Sequence, residues 1–139
     1  MAEHTIPTHG NFCWNELATS KSEACKDFYT QLLGWTAHTC EVGDTNYTMF
    51  KVDGKDVGGM MQMTAEWGDP PPAAHWMGYI AVDDVDAIAA RVESLGGRTC
   101  VPPTDMPSVG RFSVITDPSG ATISIIKLEN EAAKPVNEQ

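Results

Sequence analysis

The chain writes one pattern twice. Each copy is an apolar strand-like run, an amphipathic helical stretch stopped by glycine, and then further strand-like runs. The first opens with Phe12-Cys13-Trp14-Asn15-Glu16-Leu17, continues into a helix from about Ser20 to Leu33 and stops at Gly34-Trp35. The second opens with Trp76-Met77-Gly78-Tyr79-Ile80-Ala81-Val82, continues into a helix from about Val85 to Leu95 and stops at Gly96-Gly97. A repeat constrains the fold more than any single motif, because equivalent units bury equivalent faces. Neither copy is long enough to bury a good core alone, so both are expected within one domain of 139 residues.

Local signals fill in each copy. Ser20, with Glu23 three positions on, has capping-box spacing, and Ala24, Phe28, Gln31 and Leu32 fall at helical intervals. Asp83 or Asp84 is the cap of the second helix, whose stripe is Val85, Ile88, Ala89, Val92 and Leu95. Strands are expected over 11–18, 35–41, 47–52 and 57–63, then over the run before Asp83, 98–101, 110–116 and 121–128. Gly43-Asp44, Asp53-Gly54 and Asp117-Pro118-Ser119-Gly120 read as turns. Pro102 to Pro107 reads as a loop. Pro70-Pro71-Pro72 is a stiff connector that no ladder can absorb. The prediction is an α+β fold of two tandem βαβββ modules, about 11–63 and 75–128, joined by a linker over 64–74. Residues up to Gly10 are expected to form a loose arm, and those from Glu129 a fraying polar tail.

Charge narrows the partners. With 19 acidic and 9 basic residues the formal net charge is −10, which lacks the basic footprint of nucleic-acid binding and repels anionic membranes. No apolar run reaches the length of a membrane span, and the start lacks the pattern of a signal peptide, so a cytoplasmic location is expected. Cys13, Cys25, Cys40 and Cys100 have no CxxC or zinc spacing and are expected to be reduced core thiols. His4, His9, His38 and His75 include no pair spaced to hold a metal from one element.

Several pieces in order carry a family resemblance. They are Phe28-Tyr29 with Leu33-Gly34-Trp35, Val82-Asp83-Asp84-Val85-Asp86, Gly96-Gly97, and Gly110-Arg111-Phe112 leading to Asp117-Pro118-Ser119-Gly120. Over residues 11–128 the chain resembles the vicinal oxygen chelate superfamily of glyoxalase I, bleomycin-resistance proteins and extradiol dioxygenases. The resemblance implies an incomplete barrel around a cupped pocket. It also implies a divalent metal held by His, Gln or Glu on the first and fourth strands of each module, and a homodimer. Carried over by position, the metal-ligand places fall on Trp14, Met77 and Ser124, and in module one's fourth strand on Met61 or Gln62. These are not a hard-metal set, so neither metal nor cofactor is expected.

The residues suggest another use for the pocket. Trp14, Met61 and Met77 would make an aromatic and thioether wall for a small, partly apolar molecule, with Gln62 and Ser124 beside it. Glu16 shares the Trp14 face, where a carboxylate in an apolar cup could act as acid or base, and Tyr79 shares the Met77 face as a hydroxyl donor. Arg111 could hold an anionic group or pair with a protein carboxylate. The expected function is metal-independent binding of a small molecule. The alternative is an enzyme using Glu16 and Tyr79, or unusual metal ligands.

Overall fold

The computed structural model describes residues 7–42, 45–106 and 109–129. Module one consists of β1 (Phe12–Thr19), α1 (Ser22–Leu33), β2 (Thr36–Val42), β3 (Thr45–Val52) and β4 (Lys55–Gln62). Module two consists of β5 (His75–Ala81), α2 (Val85–Ala89), β6 (Arg98–Met106), β7 (Gly110–Thr116) and β8 (Thr122–Leu128). The two modules share one topology. In module one the strand order is β2-β3-β4-β1, and in module two β6-β7-β8-β5, with the first and fourth strands parallel in each. The expected α+β βαβββ repeat is therefore present.

Each module buries its own core between helix and sheet. In module one Leu17, Phe50 and Met60 pack with Cys25, Tyr29, Trp35 and Ala37. In module two Val82, Val85 and Ile125 pack with Ile80, Ile88 and Ile115. By alternation along the strands, the neighbours of these residues face away from the helices.

The chain's compact units are offset from the modules. One spans Trp14–Met77, and the other joins residues up to Cys13 with those from Gly78 onward. The described part of the expected loose arm is thus tied down. Gly10 N–H donates to the Ala81 carbonyl at 2.7 Å, Ala81 N–H donates to Asn11 at 2.8 Å, and the Asp83 amide donates to His9 Nδ1 at 2.9 Å.

Several local expectations change. Helix α1 begins at Ser22 with Lys21 at the cap position and no side-chain cap, so Ser20 and Glu23 form no capping box. Its buried face runs through Ser22, Cys25 and Tyr29, leaving Phe28 and Leu32 mostly exposed instead of packed. The second helix is only Val85–Ala89, followed by a 3₁₀ turn over Glu93–Leu95. Leu95 is 63% exposed, so no burial favours carrying the helix to it. Asp84 is the cap, accepting from the Ala87 amide.

Strand β6 runs straight through Pro102-Pro103, where a loop was expected. It lies at the edge of its module's sheet, and its register shifts around the prolines, the setting in which a strand tolerates them. The Asp53-Gly54 turn has both residues at positive φ, 52° and 79°, as a two-residue hairpin requires. Cys40 and Cys100 are exposed and only Cys13 and Cys25 are half-buried, so the four free thiols are not all core residues. The expected Gly43-Asp44 turn, His4 and the tail beyond Glu129 lie outside the described residues. Among the described residues no helix is long and apolar enough to cross a membrane.

Candidate functional site

On the helix-free face of module one, β1 contributes Trp14, Glu16 and Ala18, β3 contributes Tyr47 and Met49, and β4 contributes Gly59 and Met61. The ladder sets them side by side. Glu16 pairs with Gly59 and Gly59 with Met49, while Ala18 pairs with Met61 and Met61 with Tyr47. Trp14 Nε1 donates to the Tyr47 hydroxyl oxygen at 3.0 Å. The Tyr47 ring lies over Gly59 so closely that a Cβ there would stand 1.8 Å from the hydroxyl oxygen. Glu16 and Tyr47 each have further interactions.

The helix-free face of module two is built in the same register. Tyr79 pairs with Ser124 and Ser124 with Val114, while Ala81 pairs with Ile126 and Ile126 with Phe112. Ser124 is fully buried, and its hydroxyl donates to the Ser113 carbonyl at 3.1 Å. Tyr79 is buried too and has interactions of its own.

The shared register of the two ladders fixes a position that sequence left open. The pairs Leu17–Met60 and Ile80–Ile125 are equivalent core pairs. Glu16 then corresponds to Tyr79, and Gly59 to Ser124. The fourth-strand position of module one is therefore Gly59, where Met61 or Gln62 was expected.

Gln62 lies on the opposite face and serves the backbone. Its Oε1 accepts from the Ser22 amide at 3.0 Å, and its Nε2 donates to the Ser20 carbonyl at 2.8 Å and the Met63 carbonyl at 3.2 Å. Arg111 is also on the helix side. It makes two bonds to Asp86 on α2, at 2.8 and 3.0 Å, and one to Asp105 at 2.9 Å. The guanidinium bonding to Asp86 holds that carboxyl below the ordinary range, and the two carboxylates, Asp86 foremost, push Arg111 up. Arg111 takes the carboxylate-pairing alternative.

Met77 on β5 is half-buried. His75 Nδ1 is 2.8 Å from the Ala73 carbonyl, and His38 lies exposed on β2 across from Met49. A depression of about 320 Å³ beside α2, lined by Ile88, Val92, Leu95, Ile115 and Pro118, includes none of the expected site residues.

The family's metal-ligand positions carry poor partners for a divalent metal. They present the Trp14 indole, the Met77 thioether, a Ser124 hydroxyl committed to Ser113, and a glycine. Indole and glycine side positions offer no ligand atom, and thioether suits soft ions. Among the described residues no three His, Cys, Asp or Glu side chains gather into a metal-binding group. The residues do not fit a conventional hard-metal site.

Tyr47 was not among the residues expected at the site. The signal for it was present in Gly59, since a glycine inside a strand often marks the close approach of another group. The sequence does not say which group approaches.

The model of the Glyoxalase/Bleomycin resistance protein/Dioxygenase superfamily matches residues 11–125. The chain belongs to this superfamily. Within the superfamily it is 40% identical over 121 residues to "Putative glyoxylase CFP32" of Mycobacterium bovis, a match covering 85% of this chain and 44% of that protein. It is 35% identical over 123 residues to "Anthracycline biosynthesis protein DnrV" of Streptomyces peucetius, covering 81% of this chain and 45% of that protein. The chain thus spans less than half the length of these curated relatives. Methylmalonyl-CoA epimerase from Mycobacterium tuberculosis shares the superfamily fold at 18% identity and a TM-score of 0.57, covering 93% of this chain and 96% of the epimerase.

Proposed function

We propose that this chain binds a small, partly apolar molecule on the helix-free sheet faces of its modules, without a conventional divalent metal. One observation carries the reading. The face of module one that bears the family's first- and fourth-strand positions holds Trp14, Met49, Met61 and Gly59, an adaptable apolar surface with a few polar groups. The relatives named for a glyoxylase and for anthracycline biosynthesis are consistent with a small-molecule role.

Elemental analysis of the purified protein, paired with ligand titration before and after chelation, tests it. The expected result is no stoichiometric metal and binding unaffected by chelator. Stoichiometric Zn, Ni, Mn or Fe, with binding lost on chelation, overturns it.

A second reading follows from Glu16. Its carboxylate sits on the Trp14 face, directly across from a residue without a side chain. A general acid or base there would make the chain a metal-free lyase, isomerase or hydrolase. Glu16→Gln would then abolish turnover and leave ligand affinity largely unchanged. Unchanged turnover removes Glu16 from that role.

A further inference from the structure

We propose that the depression beside α2 is a ligand site for an amphipathic monocarboxylate. Its carboxylate pairs with Arg91, and its apolar body lies along Ile88, Val92, Leu95 and Pro118. The site is on the helix side of module two and does not depend on the helix-free faces. Its origin is local. Helix α2 stops at Ala89, and two further turns carry the chain on, the Arg91 amide donating to Ile88 at 3.0 Å and the Val92 amide to Ala89 at 3.2 Å. Gly96 and Gly97 then bring the chain against β7 and the turn that follows it. A Cβ on Gly96 would meet Pro118 at 3.4 Å, and one on Gly97 the Thr116 carbonyl oxygen at 2.3 Å. The depression of about 320 Å³ is lined from both sides of this approach, and its size suits a small ligand.

The lining is apolar with one cation in it. Ile88, Arg91, Val92 and Leu95 recur at i, i+3, i+4 and i+7, the spacing of one helical face, and all four line the depression. Val92 is buried and Ile88 and Ile115 pack against the core, so the floor is fixed. Leu95 is 63% exposed and gives its apolar surface to no core. A ligand chain laid against it removes that surface from water.

Charge selects the ligand's polar end. Arg111 is spent on Asp86 and Asp105, whereas among the described residues the Arg91 guanidinium has no ion pair and no side-chain hydrogen bond. A guanidinium accommodates a carboxylate through two parallel N–H donors. The carboxylate in the lining is Asp117, and its Oδ1 already accepts from the Ser119 hydroxyl, the Ser119 amide and the Ala121 amide. The chain's formal charge of −10 disfavours anions at long range, but in about 0.1 M salt charges more than about 10 Å away are largely screened. Arg91 then decides the sign of what binds.

Four probes test this: hexanoate, hexanol, hexylamine and butanoate. Binding is followed by NMR on the methyl resonances of Ile88, Val92, Leu95 and Ile115. Hexanoate should bind about fivefold more tightly than hexanol, the upper worth of an exposed ion pair. It should bind about tenfold more tightly than butanoate, the worth of two buried methylenes. Hexylamine should bind most weakly. Arg91→Gln should bring hexanoate down to the affinity of hexanol and leave hexanol unchanged, and Arg91→Lys should fall between. Leu95→Gln should weaken acid and alcohol alike. Both residues are exposed, and melting curves of the variants should match the parent's. Equal affinity for acid and alcohol, a preference that survives Arg91→Gln, equal binding of hexanoate and butanoate, or tightest binding of hexylamine overturns the proposal. So does the absence of any shift at these methyls up to each probe's solubility limit. Shifts at the Trp14 indole N–H with these methyls still would overturn this site and support the helix-free face instead.

Discussion

Gln62, the last residue of β4, caps a helix that has no cap of its own. Its Oε1 accepts from the Ser22 amide while its Nε2 holds the Ser20 and Met63 carbonyls. Residue 62 thereby fixes where β1 hands the chain to α1. Gln62→Leu leaves one amide and two carbonyls without these partners, and is expected to lower stability by about 1–2 kcal/mol, in the range of a lost N-cap. Gln62→Glu keeps the acceptor and loses the donors, and should fall between. Urea denaturation of the three proteins checks the order.

Gly59 and Gly97 are both closely approached, and substitution should separate them. At Gly97 an added Cβ would meet the Thr116 carbonyl oxygen at 2.3 Å, and backbone cannot step aside. Gly97→Ala is expected to cost about 1–3 kcal/mol. At Gly59 the obstacle is the tip of Tyr47, a side chain that can swing. Gly59→Ala should melt close to the parent while breaking the Trp14–Tyr47 hydrogen bond, read as movement of the Trp14 indole N–H resonance.

The Asp117-Pro118-Ser119-Gly120 turn is held by one carboxylate oxygen, which accepts from the Ser119 hydroxyl, the Ser119 amide and the Ala121 amide. The Ser119 hydrogen bond foremost, then the Ala121 amide, keeps the Asp117 carboxyl below its ordinary value of 3.8. A carboxyl depressed in the folded state contributes stability that is present above the ordinary value and lost as pH falls through the folded one. Asp86, depressed by Arg111, acts with the same sign. Denaturation midpoints measured from pH 5 downward should fall below about pH 4. Asp117→Asn should be less stable at pH 5 and show a shallower acid limb.

The thiols should separate by reactivity. Cys40 and Cys100 are exposed, whereas burial pushes the Cys13 thiol up. The thiolate is the species that alkylates, so iodoacetamide at pH 8 should label Cys40 and Cys100 about tenfold or more faster than Cys13. Peptide mapping by mass spectrometry over a time course reads the difference.

The sequence and the structure agree where local chemistry decides. The glycine stop at Gly34, the Asp84 cap, the Asp53-Gly54 hairpin and the Asp117 turn each follow from the dihedral or donor their residues supply, whereas Gly96 closes the 3₁₀ turn and not the helix. They diverge where a distant partner decides. Ser20 has the spacing of a cap, yet the amide it would serve is taken by Gln62, forty residues on in sequence. Phe28 and Leu32 follow helical spacing, yet the sheet receives Cys25 and Tyr29. At the candidate site, alternation sets Glu16 on the Trp14 face, but the partner of Trp14 depended on a β3–β4 register that sequence does not carry.

The prolines of β6 have a consequence for crowded solutions. An edge strand offers its spare amides and carbonyls to any chain that drifts alongside. Pro102 and Pro103 remove two donors from the middle of β6 and fall where its own register skips, so a foreign strand would find a broken template there. The outer strand of module one, β2, contains no proline between Thr36 and Val42. If molecules of this protein aggregate through sheet extension, β2 is the border that admits a newcomer and β6 the one that turns it away.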